Sequence, residues 1–124
     1  MTRLWIPLGA LNACLAVACG AFAAHGLKGR LSEYSLGVFQ TGAHYHLIHA
    51  LALVAYGLWA RSLSGVEASA LPGALFAVGI LLFSGSLYAL ALTDIKILGA
   101  ITPLGGLSFM TAWVIFAVMA WKAG

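Results

Sequence analysis

The sequence predicts an all-α integral membrane protein, a four-helix antiparallel bundle with a short amphipathic segment lying in the interface between its first and second spans. Three observations carry that reading. Charged residues are only 7% of the chain and apolar ones 63%, whereas a soluble domain carries about a quarter charged residues. So few charges cannot clothe a water-facing surface, and the solvent must be largely lipid. Finally, apolar runs near the length needed to cross a bilayer recur four times, and the charges fall between them. The 124 residues read as one membrane domain, 1–124.

The first span covers about 5–24. Twenty helical residues rise about 30 Å, the thickness of the hydrocarbon layer. Pro7 sits in its first turn, where a missing N–H costs little. Trp5 stands where an interfacial aromatic belongs. The run is too long for the apolar part of a cleaved signal and three more follow, so it is read as a retained span. Asn12 is its one strongly polar group and calls for a hydrogen bond to another helix. Ala10, Ala13, Ala16, Gly20 and Ala24 recur at roughly helical spacing and suit close approach of a neighbour. Cys14 and Cys19 lie on largely opposite faces of this helix, about 7–8 Å apart along its axis, which excludes a bridge between them.

After the first span comes the polar stretch of the chain. Gly26 and Gly29 mark a turn, and Ser32 before Glu33 reads as a helix start. Leu31, Tyr34, Val38 and Phe39 then suit one apolar face, so 31–40 is expected to lie in the interface. The second span, about 41–60, carries His44, His46 and His49 near its beginning. Tyr45 and His49 share a face, as do His46 and His49, while His44 points elsewhere. Trp59 and Arg61 anchor the far end.

The third span, about 71–92, opens with Pro72 and carries a small polar facet of Ser84, Gly85, Ser86 and Tyr88. The fourth, about 98–121, contains Thr102-Pro103-Leu104-Gly105-Gly106. A proline and two glycines so close together argue against regular helix there, so either the helix begins at Pro103 or Leu98 to Thr102 enters the bilayer as a non-helical lead-in. Pro103, Gly105 and Gly106 are therefore expected to form a break that shapes a pocket or lets two helices touch. Four spans place both termini on one side. The basic residues divide evenly, Arg3, Arg61 and Lys122 against Lys28, Arg30 and Lys96. Glu33 and Asp94 in the second set of loops tilt the reading toward cytoplasmic termini.

Four stretches together resemble a known family. They are Gly20-Ala21-Phe22-Ala23-Ala24-His25, Tyr45-His46-Leu47-Ile48-His49-Ala50-Leu51, the run from Leu82-Phe83-Ser84-Gly85-Ser86-Leu87-Tyr88 on to Leu92, and Thr102-Pro103-Leu104-Gly105-Gly106 with Phe109 and Trp113. These resemble the YgdD-like family of small membrane proteins, a domain of unknown function (four-two-three) related to the eukaryotic transmembrane protein two-five-six. The resemblance runs over nearly the whole chain. It implies a bacterial four-helix inner-membrane protein and no particular activity. His25, Tyr45, His49, Ser84, Gly85, Ser86, Tyr88, Thr102, Pro103, Gly105 and Gly106 fall on motif positions. His46 stands where the family more often has glutamine, and Ala23 and Ala112 where it has glycine.

The chemistry open to these residues is narrow. His25, Tyr45, His49, Ser84, Ser86, Tyr88 and Thr102 are the candidate ligand-binding or interior polar residues. Left in hydrocarbon each would cost on the order of 1–3 kcal/mol, so Tyr45 and His49 are expected to face the bundle interior and to meet Ser84, Ser86 or Tyr88, or the Thr102-Pro103 break, through hydrogen bonds. Ser84 and Ser86 sit on no nucleophile-elbow motif, and no catalytic residue is assigned. Every carboxylate falls in a loop, against the intramembrane acids of pumps. The expectation is a non-enzymatic protein that interacts with lipid, stabilises the membrane or serves a larger membrane complex, without cofactor or metal. A histidine-ligated metal or haem binder using His25 and His49 is the alternative, and an oligomeric small-solute pore the second. The expected partners are membrane lipids, with a larger membrane complex or self-association beside them. Nucleic acid is excluded, because the net charge of +3 is scattered and forms no patch.

Overall fold

The computed structural model describes residues 2–124. Among them it is wholly helical, without strands. Helix α1 is Trp5–Phe22, α2 is Glu33–Ser62, α3 is Leu71–Gly79, α4 is Gly85–Thr93 and α5 is Thr102–Ala123. A π-helical turn, Ile80–Ser84, joins α3 to α4, so the two form one rod, Leu71–Thr93. The segments Thr2–Leu27, Leu71–Thr93 and Lys96–Ala123 are long and apolar enough to cross a membrane.

Helix α2 is the exception in composition and the centre in packing. Its 30 residues rise about 45 Å, ample for a crossing. Three histidines lower its apolar character. Its buried positions are Phe39, Gly42, Ala43, His46, His49, Ala50, Ala52, Leu53, Tyr56, Gly57 and Ala60. They recur every three or four residues and so form one long inward stripe. The small ones let neighbours approach. A Cβ on Gly57 would lie 2.7 Å from the Ile6 side chain, and one on Gly9 2.7 Å from the Ala50 carbonyl. Both are closer than packed atoms come, so α1 and α2 meet backbone to backbone.

Three expectations about this half of the chain change. The segment expected in the interface is not a separate element, because α2 runs unbroken from Glu33. The Ser32 hydroxyl accepts the Ser35 N–H at 3.1 Å and starts the helix. Nothing after that interrupts it, since Gly37 alone does not stop a helix held by packing. Trp5 does not face outward, as an interfacial anchor would. It is 4% exposed and wedged against Gly73, where a Cβ would lie 2.3 Å from the indole. Nor does α1 use its full small-residue series for contact. Gly9 and Ala16 are buried, while Ala10 and Ala24 are exposed.

The core has two parts. The larger gathers Trp5, Leu53, Tyr56, Phe76, Ile80 and Phe109 from α1, α2, the Leu71–Thr93 rod and α5. The smaller gathers Ala23, Leu27, Phe39 and Ala91 where α1 ends and α2 begins. Between α4 and α5, Asp94 takes a left-handed conformation (φ 57°), which a short polar side chain tolerates. Its carboxylate accepts from Lys96 at 2.7 Å, and that ammonium lies 5.5 Å over the Tyr34 ring.

Candidate functional site

The inward stripe of α2 carries two histidines in different settings. His46, 5% exposed, is the hub of a hydrogen-bonded chain. The Asn12 amide N–H donates to the Leu8 carbonyl at 2.9 Å, which turns its oxygen toward His46. That oxygen and His46 Nε2 are 2.9 Å apart, and His46 Nδ1 and the Tyr88 hydroxyl are 2.9 Å apart. An amide oxygen only accepts, so Nε2 carries the proton and Nδ1 accepts from Tyr88. One imidazole thereby ties α1, α2 and α4 together.

His49, 4% exposed, has the opposite tautomer. Its Nδ1–H donates to the Tyr45 carbonyl at 2.8 Å, and its Nε2 accepts the Trp113 indole N–H at 3.1 Å. Its ring stacks on Phe109 with centroids 3.5 Å apart and planes 5° from parallel. Both ring nitrogens of both histidines are therefore in use within the protein.

The serines serve the backbone. Ser84 donates to the Gly42 carbonyl at 2.8 Å. It lies in the π turn, where the Gly85 N–H reaches the Ile80 carbonyl five residues back. Ser86 lies 2.9 Å from the Phe83 carbonyl and 2.5 Å from the Thr102 hydroxyl. Ser108 donates to Leu75 at 2.7 Å. The expected break does not fall within Pro103–Gly106: α5 is regular helix from Thr102 with Pro103 in its first turn, where a missing N–H costs little, and the irregular part is the short, tighter turn at Lys96–Ala100 before it. A Cβ on Gly105 would lie 2.3 Å from the Phe83 backbone nitrogen, so α5 touches the π turn there without a side chain between.

Beside His49 a groove of about 410 Å³ opens on the outside of the helices. Tyr45, Ile48, Phe83, Met110 and Trp113 line it, with His49 and Phe109 below and Gly106 at one edge. Tyr45 is 40% and Met110 59% exposed. The Tyr45 ring stands 5.0 Å from Phe83, so it is a wall of the groove and not an interior group.

The structure therefore brings together Ser84, Ser86, Thr102 and Tyr88 with α2 and α5, and sets Tyr45 beside His49, but His49 bonds the Tyr45 carbonyl and Trp113 instead of the expected Ser84, Ser86, Tyr88 or Thr102. It does not bring His25 to them. His25 lies exposed in the π turn Ala23–Leu27 that ends α1. Asn12 is beside His46, and His25 is thirteen residues further along, about 20 Å at 1.5 Å per residue. His49 lies on the other side of His46. No cluster of three or more His, Cys, Asp or Glu forms among the described residues. Sequence reasoning passed over His46 as a functional position, because the family more often has glutamine there. The available signal was the lone polar Asn12 in one apolar helix and Tyr88 in another, which need a partner between them.

These helices, two polar connections inside them and apolar faces outside, define a helical membrane protein. Its relatives say the same. The profile of the family described as "Protein of unknown function (DUF423)" matches residues 19–106, and the chain belongs to that family. It is 50% identical over 120 residues to the UPF0382 membrane protein YwdK of Bacillus subtilis, covering 97% of this chain and 98% of that one. It is 44% identical over 122 residues to the UPF0382 membrane protein SAB0533 of Staphylococcus aureus, covering 97% of each. No solved structure matches the chain.

Proposed function

We propose that the chain is a non-catalytic, lipid-interacting protein whose groove beside His49 receives the acyl chain of a membrane lipid. The observation that carries this is the groove itself. It opens outward, its walls are aromatic and aliphatic, and the imidazole beneath has both nitrogens engaged. Such a surface offers packing to an apolar chain and no reactive group to a substrate. The hydroxyls of Ser84, Ser86 and Ser108 donate to main-chain carbonyls or face Thr102, and none pairs with a histidine among the described residues, which supports a non-enzymatic role. A metal or haem at His49 would first have to displace Trp113.

In this reading the chain crosses a bacterial inner membrane four times as an antiparallel bundle. The pairing of Trp5 with Gly57, Gly9 with Ala50 and Asn12 with His46 supports opposed α1 and α2. Turning His46 and His49 inward lets α2 serve as a span beside the three more apolar segments. Its first turns, with exposed Glu33 and Tyr34, stand at headgroup level, and both termini face the cytoplasm. Remaining apolar faces serve lipid, self-association or a larger membrane complex.

The test is quenching of Trp113 by lipids brominated on the acyl chain, with Trp5, Trp59 and Trp121 replaced by phenylalanine. Gly106→Leu should fill the groove and lower the quenching. Equal quenching with and without that substitution would contradict acyl-chain occupancy. Solute flux into proteoliposomes would instead favour a pore.

A further inference from the structure

A second cavity, of about 400 Å³, lies where α1 begins and α2 ends, and it is lined by Thr2, Arg3, Ile6, Pro7 and Arg61. We propose that Arg3 and Arg61 form a binding site for a phosphate group, with Thr2 as a further donor. The backbone contact explains why the arginines share one cavity. Gly57 sits against Trp5 and Ile6, and Arg61 follows it by four residues, so it projects from the same face of α2 beside the turn that carries Arg3.

Two guanidinium groups in one cavity repel each other unless an anion or water intervenes. No acidic residue lines this cavity. The one ion pair among the described residues, Lys96–Asp94, belongs to the α4–α5 connection. Guanidinium forks match phosphate oxygens in pairs, which makes a phosphate the fitting anion. The rest of the lining is apolar, Ile6 and Pro7, as suits a phosphate attached to a lipid at the membrane rim. The phosphate could come from an anionic phospholipid headgroup or from free phosphate. This site stands apart from the groove, and either can fail alone.

The test uses the full chain in mild detergent, titrated with short-chain phosphatidylglycerol, short-chain phosphatidylcholine and inorganic phosphate and read by native mass spectrometry. Arg3→Gln and Arg61→Gln should each weaken phosphatidylglycerol binding about tenfold, Arg61→Lys less, and Arg30→Gln at the opposite end not at all. Circular dichroism of each variant checks that the helices persist. Phosphatidylglycerol bound without competition from inorganic phosphate assigns the site to lipid, and competition by inorganic phosphate assigns it to the free anion. Equal binding of phosphatidylcholine, or an equal loss with Arg30→Gln, would overturn the proposal.

Discussion

Replacing His46 should loosen three helices at once, and the size of the effect can be built from its contacts. Its two nitrogens hold Asn12 and Tyr88 at 2.9 Å each. Hydrogen bonds between helices in lipid contribute about 0.6 kcal/mol on average and up to about 1.7. Losing both costs about 1–3 kcal/mol, and His46→Ala adds a cavity, for a total of about 2–4 kcal/mol. His46→Leu fills the space and isolates the polar part, about 1–3 kcal/mol. His46→Gln retains a donor and an acceptor on a flexible stem, and should lose less than about 1 kcal/mol. Unfolding by sodium dodecyl sulfate in mixed micelles, followed by circular dichroism, measures each. A cycle with Tyr88→Phe should show coupling, because that change removes the same bond. Refutation would be His46→Leu matching the parent, or His46→Gln losing as much as His46→Ala.

Other substitutions probe the contacts around it. Gly105→Ala places a methyl 2.3 Å from the Phe83 nitrogen, and should cost about 1–3 kcal/mol in the same unfolding assay as α5 is pushed off the π turn. Gly20→Ala, with nothing within 4 Å of the added carbon, should instead stabilise α1 by about 0.5–1 kcal/mol. Trp113→Phe leaves His49 Nε2 without its donor at 3.1 Å and should cost about 0.5–1.5 kcal/mol beyond any loss of packing. A double substitution with His49→Leu should cost less than the two separately.

Much of the architecture was legible because lipid leaves few options. Runs such as Leu71–Thr93 are apolar throughout, and only a helix satisfies their backbone. Ser32 before Glu33 announced the start of α2, since a hydroxyl there serves an otherwise unpaired N–H. What remained hidden depends on the register between helices. Trp5 looked like a surface anchor, because nothing local says that Gly73 leaves room for an indole. The segment 31–40 looked amphipathic on its own, and its fusion with α2 rests on the packing of Phe39 and the residues around it. Within the candidate site, the link of Ser86 to Thr102 joins two residues of one expected polar set. Asn12 and His46 are 34 positions apart, and only the approach of α1 to α2 makes them neighbours. The π turn at Ile80–Ser84, which shifts the face presented after Ser84, has no composition signal of its own.

The measurement closest to the central claim is the tautomer of each buried histidine, read by nitrogen magnetic resonance on the full chain carrying isotope-labelled histidine. The account holds that both are internal hydrogen-bonding groups committed to protein partners, leaving the groove to apolar chains. It predicts the proton on Nε2 of His46 and on Nδ1 of His49, with Trp113→Phe disturbing only the second. Matching tautomers, or a His49 signal that moves on adding zinc or haem and leaves Trp113 unpaired, would contradict it and make the groove a ligand site.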